Sequence, residues 1–178
     1  MKIRAIHFKD AGPLGDQIIS LENDWDGSIE TRTLLSGPNG CGKSTILRAV
    51  AMLWEALGYW LDHRKPLPKH HVAREWLQRW GGCAVILEDV LRDDQPLALI
   101  YGEHSWVNPM LREHPDFGWI GEFSEPKLQG KQVFFNSDLI SLNDYSDLRK
   151  RMILSFDKVD VSQRCLPGYG RTPLGFAS

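Results

Sequence analysis

Residues Gly37-Pro38-Asn39-Gly40-Cys41-Gly42-Lys43-Ser44 fit the phosphate-binding pattern G-x-x-x-x-G-K-[ST] at every fixed position. The residue types suit that chemistry. Gly37, Gly40 and Gly42 let the backbone turn where side chains cannot follow and approach phosphates closely. Lys43 supplies a compact positive charge for the β- and γ-phosphates. Ser44 offers a hydroxyl to a magnesium ion that shares phosphate oxygens, and Thr45 is placed to contact the α-phosphate. Backbone N–H groups of the loop and the positive end of the following helix do the rest. The competing reading is a Gly-rich turn that happens to precede a helix. Cys41 lies inside the loop; its plainer role is a small filler, although beside a helix N-terminus its thiol is open to oxidation.

The motif needs a strand before it and a helix after it. Ile29 to Leu35 reads as that strand. From Ser44 onward, Ile46, Val50, Leu53, Trp54, Leu57 and Trp60 fall on one helical face. Gly58 weakens its far end, and Pro66 and Pro68 stop it. Upstream, Ile3, Ala5, Ile6 and Phe8 suggest a first strand, Gly12-Pro13-Leu14-Gly15 a turn, and Gln17 to Leu21 a second strand.

Downstream, a short helix is expected over Val72–Trp80, ended by Gly81-Gly82. Cys83–Leu91 and Leu97–Tyr101 read as two strands joined by the polar turn at Arg92–Pro96. Residues 102–131, rich in Gly, Pro, Trp and charge, read as a long irregular loop. Lys131–Phe135 reads as a short strand and Asp144–Phe156 as a helix with Leu148 and Met152 inward.

The chain has 178 residues, 42% hydrophobic and 25% charged, enough for one domain with a real core. A net charge of -2 argues against a protein that coats nucleic acid, while leaving room for a local basic face. No stretch approaches a membrane span, and the N-terminus lacks the apolar core of a signal peptide, so the expected location is cytoplasmic. Cys41, Cys83 and Cys165 are odd in number and form no C-x-x-C pair, which indicates neither a disulfide framework nor a zinc site.

Gly-Pro-Asn-Gly-Cys-Gly-Lys-Ser-Thr at residues 37–45 resembles the ABC-type ATPase head. The order of strand, turn, strand, strand and phosphate loop over residues 1–60 is similar to the RecF/SMC branch, whose members act in DNA repair, chromosome organisation and phage defence. Val133–Leu139 followed by Asp147–Arg151 resembles a further segment of RecF-like heads. The resemblance implies an α/β fold: a mixed sheet of the P-loop NTPase kind, a central helix after the phosphate loop, and an N-terminal antiparallel lobe. It implies ATP and Mg2+ as ligands. It also implies a single, incomplete ATP-binding domain over 1–178: 1–60 with loop and helix, 61–132 with connector, hairpin and long loop, and 133–178 with strand, helix and tail.

Hydrolysis in that family needs a Leu-Ser-Gly-Gly-like signature, a Walker B strand ending in Asp-Glu, and a later histidine. The signature is absent from this sequence. The chain therefore resembles the N-terminal lobe of a head, with a second head or another chain supplying signature and Walker B. Ala84–Asp89 is an apolar run ending in two carboxylates, so Glu88 and Asp89 are candidate catalytic residues. Their reversed order and the turn that follows favour a hairpin. The family's magnesium-touching glutamine maps best onto Asn136, with Gln132 as fallback; an ordinary polar strand end is the plainer reading.

Between Asp62 and Trp80, Arg64, Lys65, Lys69, Arg74 and Arg79 stand against Asp62 and Glu75, with His63, His70 and His71 nearby. This region could contact DNA phosphates or a partner; a solvated connector whose tryptophans Trp76 and Trp80 pack on the core is the simpler account. A zinc site there is disfavoured by spacing. Trp106 and Trp119 read as core filling before docking surface. Three functions are thus open: ATP binding by a lobe of a RecF/SMC-like ATPase, a non-hydrolysing nucleotide-binding regulatory module, and a small complete phosphotransferase using Glu88 or Asp89.

Overall fold

The computed structural model describes residues 1–91, 94–124, 130–135 and 150. Strands β1 (Lys2–Lys9) and β2 (Gln17–Ser20) come first, joined by a 3₁₀ turn at Gly12–Leu14. Helices α1 (Lys43–His63) and α2 (Val72–Leu77) follow, then β3 (Gly82–Glu88), β4 (Leu97–Glu103), α3 (His104–Glu113), β5 (Gly118–Ser124) and β6 (Lys131–Phe135). The strands make one six-stranded mixed sheet in the order β2-β1-β3-β4-β5-β6. Only β4 and β5 run parallel, with α3 as their crossover.

β3 and β4 lie in the middle and are buried on both faces, so they read as unbroken apolar runs. On one face Ile6, Phe8, Val85, Leu87, Leu99 and Tyr101 pack with Leu53, Leu57 and Trp60 of α1. On the other, Ala84, Ile86, Ile100 and Phe123 pack with Val107 and Met110 of α3. Period-two alternation along each strand produces the two layers. Gly58 is buried within α1, which runs on to His63 and ends where Arg64 turns left-handed at φ 53°.

Three expectations change. First, Ile29–Leu35 is not a strand of the sheet. Ile29 makes an isolated bridge to Glu22, and the Glu30 N–H donates to Leu21 O at 3.1 Å. Beyond that, Thr31, Thr33 and Leu35 line a groove with Ile46 and Val50 of α1, while Leu34 is 89% exposed. Strand-like alternation survives, but among the described residues no neighbouring strand rewards it with a ladder. Second, residues 102–131 are not one irregular loop. They hold α3 and β5, despite Pro109 inside the helix and two glycines in the strand. Gly121 is tolerated because a Cβ there would stand 3.0 Å from Ile100 Cβ and 3.0 Å from Ile100 O. Third, β1 and β2 pair antiparallel as expected but continue into the single sheet through β3, so they form no separate lobe.

β3 and β4 form the antiparallel hairpin that the sequence favours. Trp106 lies over Gly82 and Gly102, which face each other across that hairpin. Trp119 packs beside Phe123 at 5.7 Å between ring centroids. Asn136 and Cys165, and the 144–156 helix apart from residue 150, lie outside the described residues.

β5 carries a buried charge. Glu122 is fully buried, and its Oε2 accepts from Trp60 Nε1 at 3.3 Å and from the Leu67 N–H at 2.8 Å. Arg74 Nη1 donates to Leu67 O and lies 3.9 Å from Glu122 Oε1, an oxygen with no hydrogen bond among the described residues. Burial, followed by the nearby carboxylate, pushes the Tyr101 phenol up to about 12. Glu122→Leu strips Leu67 N–H and Trp60 Nε1–H of their acceptor and leaves Arg74 without its counter-charge. We expect a loss of about 3 kcal/mol, and roughly half that for Glu122→Gln, which keeps an acceptor. Urea unfolding reads both; wild-type midpoints for the two variants would remove Glu122 from the stabilising interactions.

Candidate functional site: the phosphate loop at the start of the long helix

The loop from Gly37 to Ser44 turns three times through backbone that favours glycine. Gly37, Gly40 and Gly42 take φ values of 150°, 85° and 100°. Each motif glycine thus sits where its lack of a side chain is needed. Gly42 is the N-cap of α1, and no side chain caps that helix end. No acidic residue lies in its first turn. The N-terminus of a 21-residue helix therefore presents uncapped N–H groups with no local carboxylate to compete for them. That arrangement attracts anions.

Lys43 folds back over the loop. Its Nζ donates to Gly37 O at 2.6 Å and Pro38 O at 2.8 Å, and lies 3.6 Å from Cys41 Sγ. The ammonium is thus held above the loop's own carbonyls. Asn39 and Gly40 occupy the exposed tip, and the Cys41 N–H donates to Pro38 O at 3.4 Å. Ser44 is exposed and Thr45 half-buried, both in the first turn of α1. The phosphate-contacting candidates therefore fall together. The strand expected to lead into them does not form.

Glu88 and Asp89 are engaged elsewhere. Arg4 Nη1 donates to Glu88 Oε1 at 3.0 Å, and Lys2 Nζ lies 3.6 Å from Asp89 Oδ2. In the β1–β3 register Glu88 faces Lys2, at the end of β1 opposite the turn whose Leu14 touches Gly42. Gln132 lies within β6, exposed, opposite Phe123. Among the described residues no group of three His, Cys, Asp or Glu is gathered for a metal ion.

The basic segment divides. Arg74 turns inward to Leu67 O. Trp80 packs edge-on against Phe8 with ring centroids 6.1 Å apart, as the connector reading expects. Trp76 instead carries two guanidinium groups, Arg48 at 3.9 Å and Arg79 at 4.4 Å from its ring centroid. Arg48 stands one helical turn after Ser44, which the pattern-based reading missed because it belongs to no motif. His71 caps α2 through Nδ1, accepting from the Ala73 N–H at 3.3 Å, and His63 stacks on Tyr59 at 4.2 Å.

Cys41 is exposed and Cys83 buried, and burial pushes the Cys83 thiol far up. A thiol reagent should modify Cys41 in the native protein, and Cys83 only after unfolding. Peptide mapping by mass spectrometry distinguishes the two, and equal labelling of both in the native state would contradict this geometry. Comparison with protein-family models, curated proteins and solved structures gives no match for this chain.

Proposed function

We propose that this chain binds ATP with magnesium through Gly37, Pro38, Asn39, Gly40, Cys41, Gly42, Lys43, Ser44 and Thr45, as the N-terminal lobe of a RecF/SMC-like ABC ATPase with a P-loop NTPase type of fold. Its setting would be DNA maintenance or prokaryotic defence. The observation that carries the reading is the three motif glycines at positive φ, feeding an uncapped helix start beside Lys43. Lys43 would exchange its loop carbonyls for phosphate oxygens, and Ser44 would ligate the magnesium, which neutralises phosphate charge when bound. The unpaired segment before the loop weighs against a self-contained fold of that kind and favours an incomplete one.

A second reading shares the loop: a nucleotide-binding module that does not hydrolyse. It is favoured by Glu88 and Asp89, which are held by Arg4 and Lys2. A self-sufficient phosphotransferase using those carboxylates is the reading the geometry favours least. Partners under the first reading are a second head, or a chain supplying signature and Walker B. DNA contact through the Arg64–Arg79 region would be weak and salt-dependent, since Arg74 is turned inward.

Calorimetry with Mg-ATP tests the loop. Lys43→Ala should lose about 1.5–3 kcal/mol, roughly ten- to a hundredfold in affinity. Ser44→Ala should weaken the magnesium dependence more than the nucleotide contact. Equal affinity for Lys43→Ala and wild type would sink the assignment.

Phosphate release by the isolated chain should stay near background, because among the described residues Glu88 and Asp89 are held by Arg4 and Lys2 away from the loop. A steady turnover abolished by Glu88→Gln or Asp89→Asn would overturn that expectation and restore the phosphotransferase reading.

A further inference from the structure

The turn after β1 is closed on itself. The Ala11 N–H donates to Gly15 O at 3.1 Å, the Leu14 N–H to Ala11 O at 3.1 Å, and the Gly15 N–H to Gly12 O at 3.3 Å. Asp16 Oδ1 accepts from the Asp10 N–H at 2.9 Å, and the same carboxylate pairs with Lys9. The Lys9 ammonium holds the Asp16 carboxyl below the usual carboxylate range. Ala11 is fully buried and plugs the turn into the core. These contacts give residues 10–16 little freedom, although Gly12 and Pro13 face solvent.

The tip of this turn reaches the phosphate loop. Leu14 packs against the main core and also against Gly42. A Cβ on Gly42 would stand 2.8 Å from Leu14 Cγ and 3.6 Å from Leu14 Cδ1, so the Leu14 side chain lies against the Gly42 backbone where only a glycine leaves room for it. Gly42 is the single buried residue between Gly37 and Ser44. It is also the joint where loop becomes helix, at φ 100° and ψ 1°. In front of the loop, residues 31–36 lie in no ladder, and among the described residues the last backbone hydrogen bond before Gly37 is that of the Glu30 N–H to Leu21 O.

From this we infer that Leu14 is a positioning residue for the phosphate loop: it pins Gly42 from the side and so fixes where the loop and the first N–H groups of α1 point. The inference rests on the reading of that loop as a nucleotide-phosphate site. Leu14 itself need touch no nucleotide. It replaces the anchor that a sheet-paired strand would otherwise give, and a binding constellation is only as well placed as the shell that supports it.

The test is Mg-ATP calorimetry on the whole chain, wild type against Leu14→Ala, Leu14→Val, Leu14→Met and Val107→Ala. Leu14→Ala should lose about tenfold in affinity and Leu14→Val less, while Leu14→Met, which still reaches Gly42, should stay within about twofold of wild type. Val107→Ala removes core volume on the far face of the sheet, under α3. It should lower the unfolding temperature at least as much as Leu14→Ala and leave affinity unchanged. Hydrogen exchange gives a second readout: the Ile46 amide, which donates to Gly42 O at 3.0 Å, should exchange faster in Leu14→Ala and in Leu14→Val, and at the wild-type rate in Val107→Ala. Wild type that fails to bind Mg-ATP defeats the phosphate-loop reading itself. Wild type that binds, with Leu14→Ala and Leu14→Val binding equally well, or with Val107→Ala losing as much, defeats the role of Leu14. If Leu14→Ala does not fold, the graded pair Leu14→Val and Leu14→Met decides alone.

Discussion

Everything at the glycine loop of residues 37–44 depends on how α1 is held against the sheet. The helix is 21 residues long, and the loop hangs from its first residue. Ala49, Leu53, Ala56, Leu57 and Trp60 are all fully buried beneath it. Burying each large side chain contributes about 1.5–3 kcal/mol, and the stripe fixes the rotation of the helix. At the far end, Trp60 Nε1 and Leu67 N–H both donate to Glu122, tying α1 and its connector to β5. A buried carboxylate is costly to desolvate, and it persists here because two donors and Arg74 surround it. At the near end Leu14 sets Gly42. The helix is thus clamped at both ends to different strands, β1 through the turn and β5 through Glu122.

Binding and catalysis draw on different parts of a nucleotide site, and under the reading proposed above the described residues carry the parts for binding. Phosphate attraction needs only backbone N–H groups, a helix start and one cation, all local to residues 37–45. Hydrolysis additionally needs a carboxylate to hold a metal and to orient water. The nearest candidate by sequence, Glu88-Asp89, ends a strand antiparallel to both its neighbours. Its charges are spent on Arg4 and Lys2, whose ion pairs secure the start of β1. The hairpin and the engagement of Glu88 and Asp89 by Arg4 and Lys2 therefore have one cause, the register of β1 on β3.

Legibility in the sequence followed the range of the interactions. β1, β2, α1, β3, β4 and β6 were readable because periodicity and turn residues are local signals. The motif glycines were readable for the same reason. α3 and β5 were not, since Pro109, Gly118 and Gly121 are breakers whose cost is offset only by the β4–α3–β5 crossover and the close fit on Ile100. Ile29–Leu35 misled in the opposite direction: its pattern is a strand's, but a strand needs a neighbour, and pairing is a property of the fold. Glu122 left a faint trace as a lone charge within Trp119–Phe123. Leu14 left none, because its contact with Gly42 joins residues 28 positions apart.

The unpaired segment also bears on how the loop responds to a ligand. Residues 31–36 lie in no ladder, with Thr31, Thr33 and Leu35 along α1, and backbone not already held costs about 1–2 kcal/mol per residue when it is finally fixed. Six such residues before Gly37 would impose a heavy ordering cost if nucleotide had to immobilise all of them. Pinning at Gly42 confines the cost to the loop itself, because the helix side of the loop is already fixed. Lys43, bonded to Gly37 O and Pro38 O, bridges the loop's first two residues to the helix before any ligand displaces it. The loop is therefore held from its C-terminal side, and under the proposed reading affinity depends more on contacts behind Gly42 than on the segment in front of Gly37.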